Sequence, residues 1–189
     1  MLLTFYLVLA ALIAAFVFLT PKGRKPAAGA SAAQTSEPAP APAENSADAI
    51  SLPLAGLRPS ELRDSFSESR GGHRHEAIDI LAPRGTPVLA VDDGTVRKIF
   101  ESAPGGHTVY EFNRDETLCY YYAHLDGYAR GLTEGQVLRR GDLIGYVGTT
   151  GNAPPNTPHL HFAISRLGPD KHWWQGVPID PYPILSRPR

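Results

Sequence analysis

From residue 86 onward, short apolar runs alternate with Gly, Pro and Asp, a rhythm that predicts strands rather than helices. "TPVLAV" (86–91), the turn "DDG" and "TVRKIF" (95–100) read as one hairpin. "HTVYEF" (107–112) and "LCYYYAHL" (118–125) read as a second. "QVL" (136–138), the turn "RRGD" and "LIGYVG" (143–148) read as a third, and "HLHFAIS" (159–165) is the last clear strand. Only "LRPSELRDSF" (57–66) has the composition for a helical turn or two. The pattern predicts an all-β domain with one main core over residues 50–189, its packed part running from about Ile50 to about Leu185.

The N-terminal part is built differently. Residues 2–19 carry no charge, and a run of this length can just span a bilayer core. A cleaved signal peptide would have a basic start and a small-residue site soon after the apolar run. Here no Lys or Arg precedes the run, and the nearest such site, "AGA" at 28–30, lies well past it. Residues 1–20 are therefore read as a single-pass membrane anchor, with a signal segment as the rival. Residues 21–49 hold ten Ala and five Pro, with no aromatic residue, Leu, Ile or Val. Such a stretch cannot bury enough apolar surface to offset its ordering entropy and is read as a disordered linker. Lys22, Arg24 and Lys25 follow the apolar run, and basic residues tend to stay on the cytoplasmic side.

Composition narrows the chemistry only a little. With 189 residues and a net charge of -1, the chain gives no electrostatic argument for a nucleic-acid partner. Cys119 is the one cysteine, so no intramolecular disulfide forms, and the thiol reads as a small buried hydrophobe.

Three segments carry candidate chemistry. On a strand, His159 and His161 project from one face of "HLHFAIS" while Leu160, Phe162 and Ile164 project from the other into the core. In "HEAID", His75 and Asp79 stand four apart, as the two histidines do in the H-E-x-x-H metalloprotease helix, but with an acid in the second place. The flanking "GGHR" and "ILAPRGTP" oppose a helix there. A straight strand would separate the two Cα atoms by about 13 Å, too far for one ion. If they share a metal, the chain bends between them, near Ala77, and Glu76 points away. In "YYYAHL", strand parity puts His124 on one face with Tyr122 and Tyr120. Each segment alone has a bland reading as surface or core polar residues.

Together, the three segments resemble the lysostaphin-type, or LytM-type, zinc metallopeptidases of bacterial cell walls. The likeness runs over about 110 residues, from "HEAIDILAPRGTPVLAVDDGTV" through "YYYAHL" and "EGQVLRRGDLIGYVGTTGN" to "PHLHF". It implies an antiparallel-sheet LytM-like fold (a duplicated hybrid motif) with a groove. It implies Zn2+ held by His75, Asp79 and His161, with His159 and His124 as the catalytic histidines that are not ligands. It also implies peptidoglycan stem peptides as substrate. Relatives usually carry Gly at the position of Ala77, so a positive φ there would be strained in this chain.

Three protein ligands leave a fourth tetrahedral position open, the arrangement of a catalytic zinc rather than a structural one. Two neutral imidazoles and a carboxylate leave the ion net positive, which acidifies water and polarises a carbonyl. The expected function is a zinc-dependent endopeptidase acting on peptide cross-links, anchored in the inner membrane with its catalytic domain in the periplasm or cell envelope. That placement is set by the substrate and runs against the three basic residues. The alternative is a non-catalytic relative that binds the wall or activates another hydrolase. A biotinyl- or lipoyl-type carrier fits the glycine rhythm of "GQVLRRGDLIGYVG" but gives no reason for the placed His and Asp residues. His73, His107 and His172 are expected at the surface, "GTTGNAPPNTP" (148–158) is expected to border a groove, and Trp173 and Trp174 read as core or surface packing before groove wall.

Overall fold

Residues 50–187 are described by a computed structural model. The expected anchor (1–20) and linker (21–49) lie outside the described residues. Among the described residues no helix is long and apolar enough to cross a membrane. The segment expected to turn helically contributes one 3-10 turn, Pro59–Glu61. It leads into a small hairpin of β1 (Ser69–Arg70) and β2 (His73–Arg74).

The other strands form one antiparallel network. They are β3 (Ile78–Leu81), β4 (Pro87–Leu89), β5 (Gly94–Ser102), β6 (Gly106–Asn113), β7 (Leu118–Tyr128), β8 (Val137–Leu138), β9 (Leu143–Val147), β10 (His159–Leu167) and β11 (Gly176–Ile179). The main path runs β11-β10-β7-β6-β5-β8, with β3 on β10 and β9 bridging β4 to β7. A short helix, α1 (Tyr182–Leu185), closes the described chain and buries Leu185.

The alternation expected of β10 is present: Leu160, Phe162 and Ile164 are buried, and their neighbours project from the opposite face. Facing them from β7 are the buried Tyr120 and Tyr122, the latter with its ring 5.3 Å from that of Phe162. Each such fully buried side chain contributes roughly 1.5–3 kcal/mol. Cys119 is buried as expected.

The 107–125 hairpin forms as predicted, as β6 and β7. The other two do not. β4 pairs with β9, and β5 pairs with β8 as well as β6. The two turns instead cross each other. Ala90 N–H donates to the Asp142 carbonyl, Gly141 N–H donates to the Ala90 carbonyl, and Arg140 N–H donates to Asp93 Oδ1. The physical reason lies in the run 88–91. Val88, Ala90 and Val91 are all fully buried, so this segment is enclosed by non-local neighbours rather than folded against the next stretch of chain.

Candidate active site

β3 and β10 pair so that Asp79 lies directly opposite His161. Both project from the face opposite the core, since Ile78, Ile80, Leu160 and Phe162 are buried. His75 reaches the same point through a bend before β3. The bend falls one residue earlier than expected, at Glu76, which has φ +56° and is exposed. Ala77 is fully buried and is not a positive-φ residue, so its Cβ meets no backbone strain. Glu76, carrying the strained backbone, points away from the site as anticipated.

Three atoms converge. His75 Nε2 lies 3.1 Å from Asp79 Oδ1, His161 Nδ1 lies 3.2 Å from the same oxygen, and the two imidazole nitrogens are 3.1 Å apart. A tetrahedral ion with bonds of ~2.0–2.1 Å has ligand–ligand edges of about 3.3 Å. The donor set therefore has the size of one face of a zinc tetrahedron. Its protonation fits too. His75 Nδ1 sits 3.1 Å from the Ser65 carbonyl, which only an N–H can satisfy, so the lone pair is on Nε2 and faces the other two atoms. Two nitrogens and a carboxylate oxygen meeting in this way form a donor set that could hold one metal ion. Arg70 donates to Asp79 Oδ2 at 2.8 Å, and the Asp79 N–H donates to Ser65 Oγ at 3.1 Å, fixing the carboxylate with Oδ1 inward.

His159 and His124 complete the cluster. His159 Nε2 is 3.8 Å from Asp79 Oδ1, and the His124 ring lies 4.9 Å from that of His159 and 5.6 Å from that of His161. Each directs Nδ1 at a backbone carbonyl 2.8 Å away, Thr157 for His159 and Thr150 for His124. Those carbonyls fix Nδ1–H tautomers, leaving each Nε2 as a free acceptor at the site.

His124 does not follow its predicted parity. Tyr120 and Tyr122 face the core, whereas His124 faces the groove with Tyr121. The β6–β7 register shifts between His107 and Val109, where β7 carries one extra residue, and His124 has φ +59°. This bulge re-aims the imidazole to the other face. Gly148 lies beneath it, since a Cβ there would be 2.8 Å from the His124 carbonyl and 2.3 Å from the Asp126 nitrogen.

Burial pushes the Asp79 carboxyl up, but the hydrogen bonds and charges of His161 and His75 outweigh it and hold the carboxyl well below the ordinary range. Burial pulls the His124 imidazole down to about 4, with the Thr150 contact opposing. Burial likewise lowers His161, against the pull of Asp79. The cluster opens into a cavity of about 750 Å³, bordered on one side by the 148–158 loop (Asn152, Ala153, Pro154 and Thr157) and on the other by the β1–β2 hairpin.

The sequence profile of Peptidase family M23 matches residues 73–181, more than half of the chain. The chain belongs to this family. The chain is 35% identical over 131 residues to an L-Ala–D-Glu endopeptidase of Bacillus subtilis, covering 65% of this chain and 39% of that protein. It is 35% identical over 98 residues to a peptidoglycan DD-endopeptidase of Vibrio cholerae, covering 52% of this chain and 22% of that one. The chain thus spans well under half the length of these relatives. Among solved structures, the lysostaphin catalytic domain of Staphylococcus simulans superposes with a TM-score of 0.56 at 26% identity, covering 66% of this chain and 90% of that one. The M23 domain has the LytM-like fold, as the resemblance implied.

All five site residues expected from sequence meet at one point of the M23 domain. Sequence reasoning missed Ser65, Arg70, Thr150 and Thr157. Thr150 and Thr157 orient the histidines through backbone carbonyls, which leave no residue-type signal; Ser65 acts through its carbonyl and its hydroxyl, and Arg70 lies on a hairpin that periodicity did not reveal. His107, expected at the surface, is half-buried against Tyr128. Trp173 packs against Phe100 and Tyr110, and Trp174 is 62% exposed.

Proposed function

We propose that this chain is a zinc-dependent endopeptidase that hydrolyses peptide cross-links in peptidoglycan. The convergence of His75 Nε2, His161 Nδ1 and Asp79 Oδ1 at mutual distances of 3.1–3.2 Å carries this reading. These three residues hold the metal. When bound, zinc supplies Lewis-acid polarisation of the scissile amide and lowers the pKa of water toward ~7. The chain's own residues supply the proton handling. His124 and His159 each hold Nδ1–H against a backbone carbonyl, which leaves Nε2 facing the site to take up a proton or give one back. One serves as general base through its Nε2 lone pair; the other, when it carries a proton on Nε2, donates to the developing negative charge of the substrate carbonyl. The depressed His124 imidazole stays uncharged at neutral pH, which keeps Nε2 available as an acceptor. Arg70 and Ser65 keep Asp79 oriented, and Thr150 and Thr157 keep the two histidines oriented.

The substrate class rests on relatives named for peptidoglycan endopeptidase activity. With it goes a location: the apolar residues 2–19 anchor the chain in the inner membrane and the catalytic domain works in the periplasm or cell envelope. The non-catalytic alternative leaves the two carbonyl-fixed histidines without a use. The test is digestion of purified sacculi by the full-length chain, with and without a chelator, and mass identification of the products. Chelator-sensitive release of peptides cut in their cross-links is expected. Intact sacculi under both conditions would overturn the reading.

A further inference from the structure

Beside the metal-ligand cluster, the groove-side face of the sheet carries a run of aromatic rings that the peptidase chemistry does not use. The Tyr121 ring stands edge-on to His161 at 5.8 Å. Tyr110, its cross-strand partner on β6, follows at 4.6 Å, then Trp173 at 4.6 Å and Trp174 at 5.3 Å. Phe100 on β5 flanks Trp173 at 5.4 Å and is 40% exposed. Trp174 has one face stacked on His172, with ring centroids 4.4 Å apart and planes at 25°, and is 62% exposed overall. Packing the core does not explain an indole left this open, and the loop holding it lies over Cys119, whose thiol meets the Trp173 carbonyl.

We infer that Trp174, with Trp173 and Phe100 behind it, is a stacking platform for a sugar ring of the glycan strand that carries the scissile peptide. Two observations point to this occupant. The platform is continuous with the groove through Tyr121, which lines the cavity holding His75, Asp79 and His161. Its rings are rigid, flat and edge-supported, and the axial C–H face of a pyranose packs on such a surface while its hydroxyls stay in water. A glycan bound there sets which stem peptide enters the groove, and from which end.

This inference rests on the proposed substrate class, but it has a readout that needs no hydrolysis. The full-length protein is titrated with an N-acetylglucosamine hexasaccharide, following indole fluorescence and the heat of binding. The wild type is expected to bind with a change in tryptophan emission, and Trp174→Ala to weaken binding about tenfold. The melting temperature of Trp174→Ala reports whether its fold is retained. Trp174→Phe keeps a flat face and is expected to bind between the two. In a second arm, KM is compared for cross-linked muropeptides bearing their sugars and for the same peptides freed of sugar by an amidase. The wild type is expected to favour the sugar-bearing form, and Trp174→Ala to lose that preference. A wild type that ignores the hexasaccharide, or a folded Trp174→Ala that binds it equally well, overturns the platform. If the hexasaccharide binds as expected but no peptide is cut, the peptidase reading fails and the platform stands.

Discussion

Asp79 and His161 are direct cross-strand partners of β3 and β10, and Asp79 Oδ1 lies 3.2 Å from His161 Nδ1. Sheet register alone therefore delivers two of the three converging atoms, and the turn at Glu76 delivers the third. Asp79→Asn replaces the shared anionic oxygen with a neutral one and disrupts the Arg70 ion pair. Purified full-length Asp79→Asn is expected to hold zinc at least about 100-fold more weakly, measured by competition with a coloured chelator, and to lose turnover. Equal affinity would remove Asp79 from the ligand set.

His159→Ala and His124→Ala separate metal binding from proton handling. Each is expected to retain stoichiometric zinc by elemental analysis, while kcat falls about 10²–10⁴-fold. Glu76→Gln is expected to keep its activity within about twofold, since Glu76 is exposed and turned out of the site. An inactive Glu76→Gln beside an active His159→Ala would restore the H-E-x-x-H type of chemistry.

The 148–158 loop is held to the β5–β6 turn by two glycines. Gly151 has φ +72°, and a Cβ there would lie 2.3 Å from the Gly106 nitrogen and 2.5 Å from the Pro104 carbonyl. Gly151→Ala is expected to destabilise the fold by roughly 1–3 kcal/mol in urea denaturation. It also displaces the neighbouring Thr150 carbonyl that fixes His124, so kcat should fall toward that of His124→Ala. Normal kcat with lowered stability would detach the loop from catalysis.

Glu111 is fully buried on β6, accepts from Tyr122 Oη at 2.6 Å, and has its other oxygen without a partner. Burial pushes its carboxyl up to about 8 from an ordinary 4.5; the Tyr122 bond opposes this, and Asp92, Asp93 and Asp142 add to it. The folded-state value lies above the unfolded one. The stabilising contribution is therefore fully present below about pH 4.5 and is lost as the pH rises through about 8. Glu111→Gln removes this titration. Its stability relative to wild type should rise by on the order of a few kcal/mol between those limits in urea denaturation series. A difference independent of pH would contradict the assignment.

Legibility from sequence followed the physics of each segment. The His-x-His strand was readable because Leu160, Phe162 and Ile164 enforce a period of two. His124 was misplaced because one extra residue in β7 inverts parity, and a bulge has no signature in the apolar pattern. The bend before β3 was inferred from distance alone, but its position went to Glu76, whose side chain is free in solvent, and not to the enclosed Ala77. Two hairpins were misread because turn residues announce a reversal without naming the partner strand. Ala90 and Asp142 meet across 52 positions of sequence, a contact that local periodicity does not encode.

The most direct measurement is zinc-edge anomalous diffraction from crystals of the full-length protein grown with one equivalent of zinc. One peak is predicted, bonded at ~2.0–2.2 Å to His75 Nε2, His161 Nδ1 and Asp79 Oδ1, with His124 and His159 outside bonding distance. A peak ligated by a different set, or no peak between these three atoms, would contradict the shared-metal site.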